Sequence, residues 1–206
     1  MAVELQVKEL ANPKLSVEMQ NVIKKSHGDK DAGIQYDDVE IYKYKIMQML
    51  TEDTDLLATL NNKELDGCKG DDYRFVNIFN FLKIPDTQAT VKNLVCFEVN
   101  DVEQPRYTNG LMQKYLVFRT VSHEDDVQTD YGMARQDLLA LIIKNKFDWS
   151  QVFGMHIEKI HDYGKITENG YYYREFVYET IAPNNLVNKG KIQNNLKATT
   201  QENVGD

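Results

Sequence analysis

LMQKYLVFRTVSHEDDVQTDYGMARQDLLALIIKNKF, residues 111–147, carries two hydrophobic periods in succession. In its first third Met112, Leu116 and Phe118 alternate with Tyr115, Val117 and Val121, the two-residue period of a strand. Apolar residues on both sides predict a central strand over 111–122, covered on both faces. In its second half Tyr131, Ala134, Leu138, Leu141 and Ile142 recur at helical spacing. That spacing predicts a helix over 131–147, capped by Asp130, with this stripe on a sheet and Lys144 and Lys146 at its negative end.

Upstream, NLVCFEV (93–99) alternates and predicts a strand. It is joined to the long strand through Pro105 and the Asn109-Gly110 turn signal. YRFVNIFNFLKI (73–84) is strand-like, and Pro85 ends its pairing. Val39, Tyr42, Ile46, Met49, Leu50, Leu56, Leu57 and Leu60 fall mostly at helical spacing. They predict a helix starting at Asp37 or Asp38 that breaks in two near Thr54. Downstream, runs over 154–163 and 171–181, joined by GKITENG, predict a hairpin. Helix, strands, helix, hairpin makes an α+β fold: a mainly antiparallel sheet of about four or five strands with two principal helices packed on it.

The ends read differently. Residues 1–35 hold five lysines and five acids, and 184–206 three lysines and two acids, so the middle carries −9 against −8 for the whole chain. The middle, 36–183, reads as the folded domain and the ends as extended arms. The N-terminal arm could form one short helix over 17–25, capped by Ser16 and ended by Gly28. The C-terminal arm has six Asn and scattered Leu186, Val187, Ile192 and Leu196. It cannot bury enough apolar surface alone to offset its ordering entropy, so the sequence leaves it flexible or laid on a neighbour.

Composition excludes several classes. At 206 residues the chain is long enough for a core without staples, and Cys68 and Cys96 cannot make a disulfide framework. The acidic balance disfavours a nucleic-acid clamp. No apolar run approaches the ~20 residues of a membrane span, and the first residues do not read as a secretory signal.

Candidate chemistry is sparse. His123-Glu124-Asp125-Asp126 is the densest polar cluster, but adjacent acids lack the spacing of a calcium loop; it reads as a solvated loop. His156 and His161, five apart in a strand-like run, point to opposite faces and cannot share a zinc ion. A Cys96–His123 nucleophile pair is disfavoured because Cys96 sits inside an apolar strand. Tyr171-Tyr172-Tyr173-Arg174 could stack bases, but the acidic balance favours an edge or interface strand. Trp149 reads as a hydrophobic plug at the helix end. No catalytic, cofactor-binding or metal residue is therefore assigned, and the expectation is a protein that is not an enzyme and needs no cofactor.

NIFNFLKIPDTQATVKNLVCFEV (77–99), then LVFRTVSHEDDVQTDYGMARQDLLALIIKNKF (116–147) and a closing hairpin, resemble tail terminator and neck proteins of long-tailed bacteriophages over roughly 36–183. The carrying features are Ile84-Pro85-Asp86-Thr87-Gln88 before the first long strand, and a strand ending in His123 ahead of a helix with Arg135, Asp137 and Leu138. The resemblance implies a structural virion protein at the tail or neck, made in the host bacterial cytoplasm. It would self-associate into a ring, a hexamer in that family, and contact the tail tube protein and the head connector. DNA would pass through the pore without sequence-specific binding, and no membrane is involved. The alternative is a head-completion, stopper or adaptor protein on the portal side.

Overall fold

The computed structural model describes residues 15–26, 38–83, 93–101, 111–148, 150, 157–167 and 170–183. In chain order the elements are α1 (Val17–Ser26), α2 (Asp38–Thr51), α3 (Thr54–Leu60), β1 (Ile78–Phe79), β2 (Asn93–Asp101), β3 (Leu111–His123), α4 (Arg135–Phe147), β4 (Ile157–Ile166) and β5 (Tyr171–Pro183).

The strands form one sheet in the order β1-β2-β3-β5-β4. β2–β3, β3–β5 and β4–β5 pair antiparallel, and only β1–β2 is parallel. The fold is α+β, as expected, with α2 and α4 packed on the sheet and α3 packed against both of them. β4 is an edge strand whose pairing with β5 slips between Lys159 and His161, leaving Ile160 as a bulge.

Alternation sorts the side chains into two layers. Val95, Phe97, Val99, Leu116, Phe118, Phe176 and Tyr178 face α2, α3 and α4. Phe118 is the hub, stacked on Phe176 with ring centroids 5.4 Å apart and tilted against Phe147 at 5.0 Å. Leu94, Cys96, Val121 and Tyr171 face the opposite, outer side, where Phe79 joins them in a smaller cluster.

The break in the α2–α3 helix has a local cause. Asp53 accepts hydrogen bonds from the amides of Asp55 (3.1 Å) and Leu56 (3.0 Å), so α3 starts on its own cap. Lys146 of α4 binds the Asp53 carboxylate at 2.7 Å and the Met49 carbonyl at 3.0 Å, fastening the break to the last helix. Gly70 lies so close to the end of α2 that a Cβ there would stand 1.8 Å from the Thr51 carbonyl oxygen. The short arm helix forms as expected: Ser16 accepts from the Met19 amide at 3.3 Å.

Several expectations need correction. The helix after β3 begins at Arg135, not Tyr131, with Ala134 at its N-cap and no side-chain cap from Asp130. Its buried face is Gln136, Leu139, Ala140, Ile143 and Phe147. Leu141 is 49% exposed and Tyr131 80% exposed, Ala134 and Leu138 are half-buried, and Ile142 packs partly buried against the core, so the stripe read from the sequence is split between core and surface. α4 has two apolar faces, and periodicity alone could not tell which one meets the sheet. The strand expected near 73–84 shrinks to two residues. Tyr73–Ile78 is tightly turned, with Phe75 at a φ of +59° and its amide donating to the Ile78 carbonyl at 2.8 Å. β4 runs on to Ile166, through Gly164 and Lys165 that had been read as loop. β5 lies between β3 and β4 and is no edge strand. Pro85, the Asn109-Gly110 turn, Trp149, His156 and both extreme arms lie outside the described residues.

Candidate assembly surfaces

The polar clusters of the chain are occupied in holding elements together. Asp126, from the acidic run, accepts from Asn61 Nδ2 (3.0 Å to each oxygen), Asn93 Nδ2 (2.6 Å) and Arg135 Nη2 (2.9 Å). Arg135 also donates to the Thr59 carbonyl at 3.0 Å. One carboxylate thus clasps the end of α3, the start of β2 and the start of α4. The sequence reading missed this role, because only the fold brings Asn61, Asn93 and Arg135 to it. Glu124 and Asp125 are exposed. Among the described residues no three His, Cys, Asp or Glu side chains converge in a way that could hold a metal ion.

A second clasp joins α4 to the β4–β5 hairpin. Arg174 donates from Nε to Asp162 Oδ1 (2.8 Å) and from Nη1 to Asp137 Oδ1 (2.9 Å), and Lys144 also binds Asp162. Burial pushes the Asp162 carboxyl upward, but the hydrogen bonds and charges of Arg174 and Lys144 outweigh it and bring its pKa down to about 2.

On the outer face of the sheet Arg119 Nε donates to Glu175 at 2.8 Å, and the Tyr163 hydroxyl donates to the other Glu175 oxygen. Accepted by that carboxylate and partly desolvated, the Tyr163 hydroxyl titrates at about 12. The Arg119 guanidinium lies 5.0 Å from the Tyr173 ring centre. Tyr171 is buried and packs edge-on against His123, so the tyrosine run is divided between structural contacts.

Cys96 is fully buried, and burial raises its thiol pKa. It pairs across the sheet with Arg119, and His123 lies four residues further along β3, roughly 13 Å away at strand rise. The structure does not bring the two together. His161 stands on β4, exposed, beside the Tyr163 ring.

What stays uncovered is a mainly polar cleft and a number of single apolar side chains. The cleft, of about 370 Å³, opens between α3, the start of α4 and the 127–134 loop, with Thr59, Gln128, Thr129, Asp130 and Arg135 lining it beside Ala58, Tyr131 and Leu138. The loop is braced by the Thr129 hydroxyl on the Met133 carbonyl and turns at Gly132, at a φ of +71°. Tyr131 and Met133 stand out from it, and Leu141 continues the strip along α4. Elsewhere, Val17 and Met19 of α1, and Leu15 just before it, are exposed. Exposed apolar side chains of this kind are candidates for interaction surfaces. Among the described residues no helix is long and apolar enough to cross a membrane.

No curated protein matches the chain. A solved chain from the structure described as "Virion of native gene transfer agent (GTA) particle" superposes with a TM-score of 0.45 at 10% identity, over 69% of this chain and 94% of that one. The family model YomW matches residues 44–180, from within α2 almost to the end of β5. That stretch is well over half of the 206 residues and includes all but the last residues of the sheet, and the chain belongs to the phage-derived YomW family.

Proposed function

We propose that the chain is a structural subunit of a phage virion that forms a ring at the top of the tail, ends tail-tube polymerisation and joins the tail to the head connector. The observation that carries the reading is the match of residues 44–180, most of the sheet-and-helix body, to a phage-derived family. The surfaces support an assembly role over a catalytic one. Asp126, Asp162 and Glu175 are each committed to clasps between elements, while Tyr131, Leu141 and the α1 flank are left facing outward.

A subunit without chemistry can stop a polymer by offering no further tube-binding face. The acidic balance suits a channel for DNA, because like charge keeps the passing duplex from adhering to the wall. Electron microscopy of lysates from a phage lacking this chain tests the role. The expected picture is heads that fill, beside unjoined tails of uncontrolled length. Uniform tails beside leaking heads would sink the terminator role and favour a stopper on the portal side.

A further inference from the structure

Asn93 Oδ1, Ser122 Oγ and Gln136 Oε1 are buried polar atoms without a hydrogen-bond partner among the described residues. Their residues are 1%, 0% and 8% exposed. The fold brings the three to one corner of the helix-covered layer. Asn93 and Ser122 are directly opposed in the β2–β3 ladder, so their Cβ atoms stand ~4.5–5.5 Å apart. Gln136 comes down from α4: its carbonyl accepts from the Thr120 hydroxyl at 2.7 Å, and Thr120 is two residues before Ser122 on the same face. Helical side chains tilt toward the helix N-terminus. α4 begins at the Ser122 end of β3, where Arg135 meets Asp126. The Gln136 side chain therefore leans toward Ser122, while Asp137 reaches the other way, to Arg174 of β5.

Hydrogen-bond arithmetic decides what fits there. The Asn93 amide cannot be reversed, because its Nδ2 donates to the Leu60 carbonyl (3.0 Å) and the Asp126 carboxylate (2.6 Å), which only accept. Asn93 Oδ1 and Gln136 Oε1 are both acceptors and cannot satisfy each other. The Ser122 hydroxyl has one hydrogen and serves one of them at most. One oxygen is left orphaned whichever way the hydroxyl turns, a state that protein interiors seldom keep. We propose that this corner is an internal water site. The water donates to Asn93 Oδ1 and Gln136 Oε1 and accepts from Ser122 Oγ, three partners being the usual complement of a buried water. It joins β2, β3 and the first turn of α4, and so carries the Asp126 clasp from the loop into the core. The site is independent of the ring reading.

NMR of the full chain tests this. The expected signal is a cross-peak from water to the Asn93 side-chain amide protons, opposite in sign in NOESY and ROESY spectra, the mark of a held molecule. A hydroxyl proton exchanging with solvent can imitate it, so Ser122→Ala is measured beside the unaltered chain. The cross-peak should persist there, because both amide oxygens still accept. It should vanish in Gln136→Leu, which removes one acceptor and fills the space. Loss of the cross-peak in Ser122→Ala overturns the proposal, and so does an undiminished one in Gln136→Leu. A high-resolution crystal structure of the unaltered chain decides if either variant fails to fold. A density peak about 2.7–3.1 Å from all three atoms supports the water. A reversed Gln136 amide donating directly to Asn93 Oδ1, or a six-coordinate cation in the corner, overturns it.

Discussion

Leu139 and Leu141 are two residues apart on one helix and live in different environments, fully buried and half exposed. Leu139→Ala should cost ~2–5 kcal/mol, the range for truncating a core leucine, while Leu141→Ala should stay within about 0.5 kcal/mol. Urea melts of the two variants check this, and equal losses would contradict the helix orientation described here. Asp126→Ala leaves Arg135, Asn61 and Asn93 without their shared acceptor in a largely desolvated place, so a loss of about 3–5 kcal/mol is expected. The acid run containing Asp126 was visible in the sequence, but its use was not. A solvated loop and a clasp have the same local composition, and the difference lies in partners 33 and 65 residues away.

Elements were more legible than their contacts. β2 and β3 alternate so regularly that their strands appear where expected, and the α2–α3 break follows from the capping chemistry of Asp53. The residues near Tyr73–Phe79 misled because aromatic and β-branched composition does not register a tight turn with a positive φ at Phe75. The α4 face misled for a related reason: a helix that packs on a sheet and also carries an outward apolar strip has no single stripe.

At the junction of α4, β4 and β5, the lowered Asp162 pKa gives a definite pH window. A carboxyl held below its ordinary 3.8 stabilises the fold above that value and loses the contribution as pH falls through about 2. Urea midpoints should therefore drop between about pH 4 and 2, and drop less in Asp162→Asn. At the α2 terminus, Gly70→Ala forces a methyl into the Thr51 carbonyl and should destabilise by at least ~1–3 kcal/mol, read by thermal melting.

For the whole molecule, stability and assembly should separate. Leu141→Asp changes a side chain that the core does not use, so its melting temperature should match that of the unaltered protein while its incorporation into particles falls. A parallel loss of both would tie Leu141 to the fold instead. The whole-molecule role was the least legible level. Composition and spacing describe an acidic α+β body, and they do not rank which of its exposed side chains, Leu141 among them, meet a partner.

The bulge at Ile160 bears on a hazard that any protein with an exposed sheet edge faces. The free edge of β4 offers unpaired backbone amides and carbonyls over a strand of ten residues, a template on which further chains could be added without limit. The slipped register at Lys159–His161 breaks that template in its first half, and Lys159, Asp162 and Lys165 place charge along it. An incoming strand cannot keep its hydrogen bonds in step across the slip, so fibre growth through this edge is disfavoured at any concentration. Excising Ile160 would restore the step, and the same sequence would then gain a fibrillar fate that thioflavin fluorescence and electron microscopy of the concentrated protein would reveal.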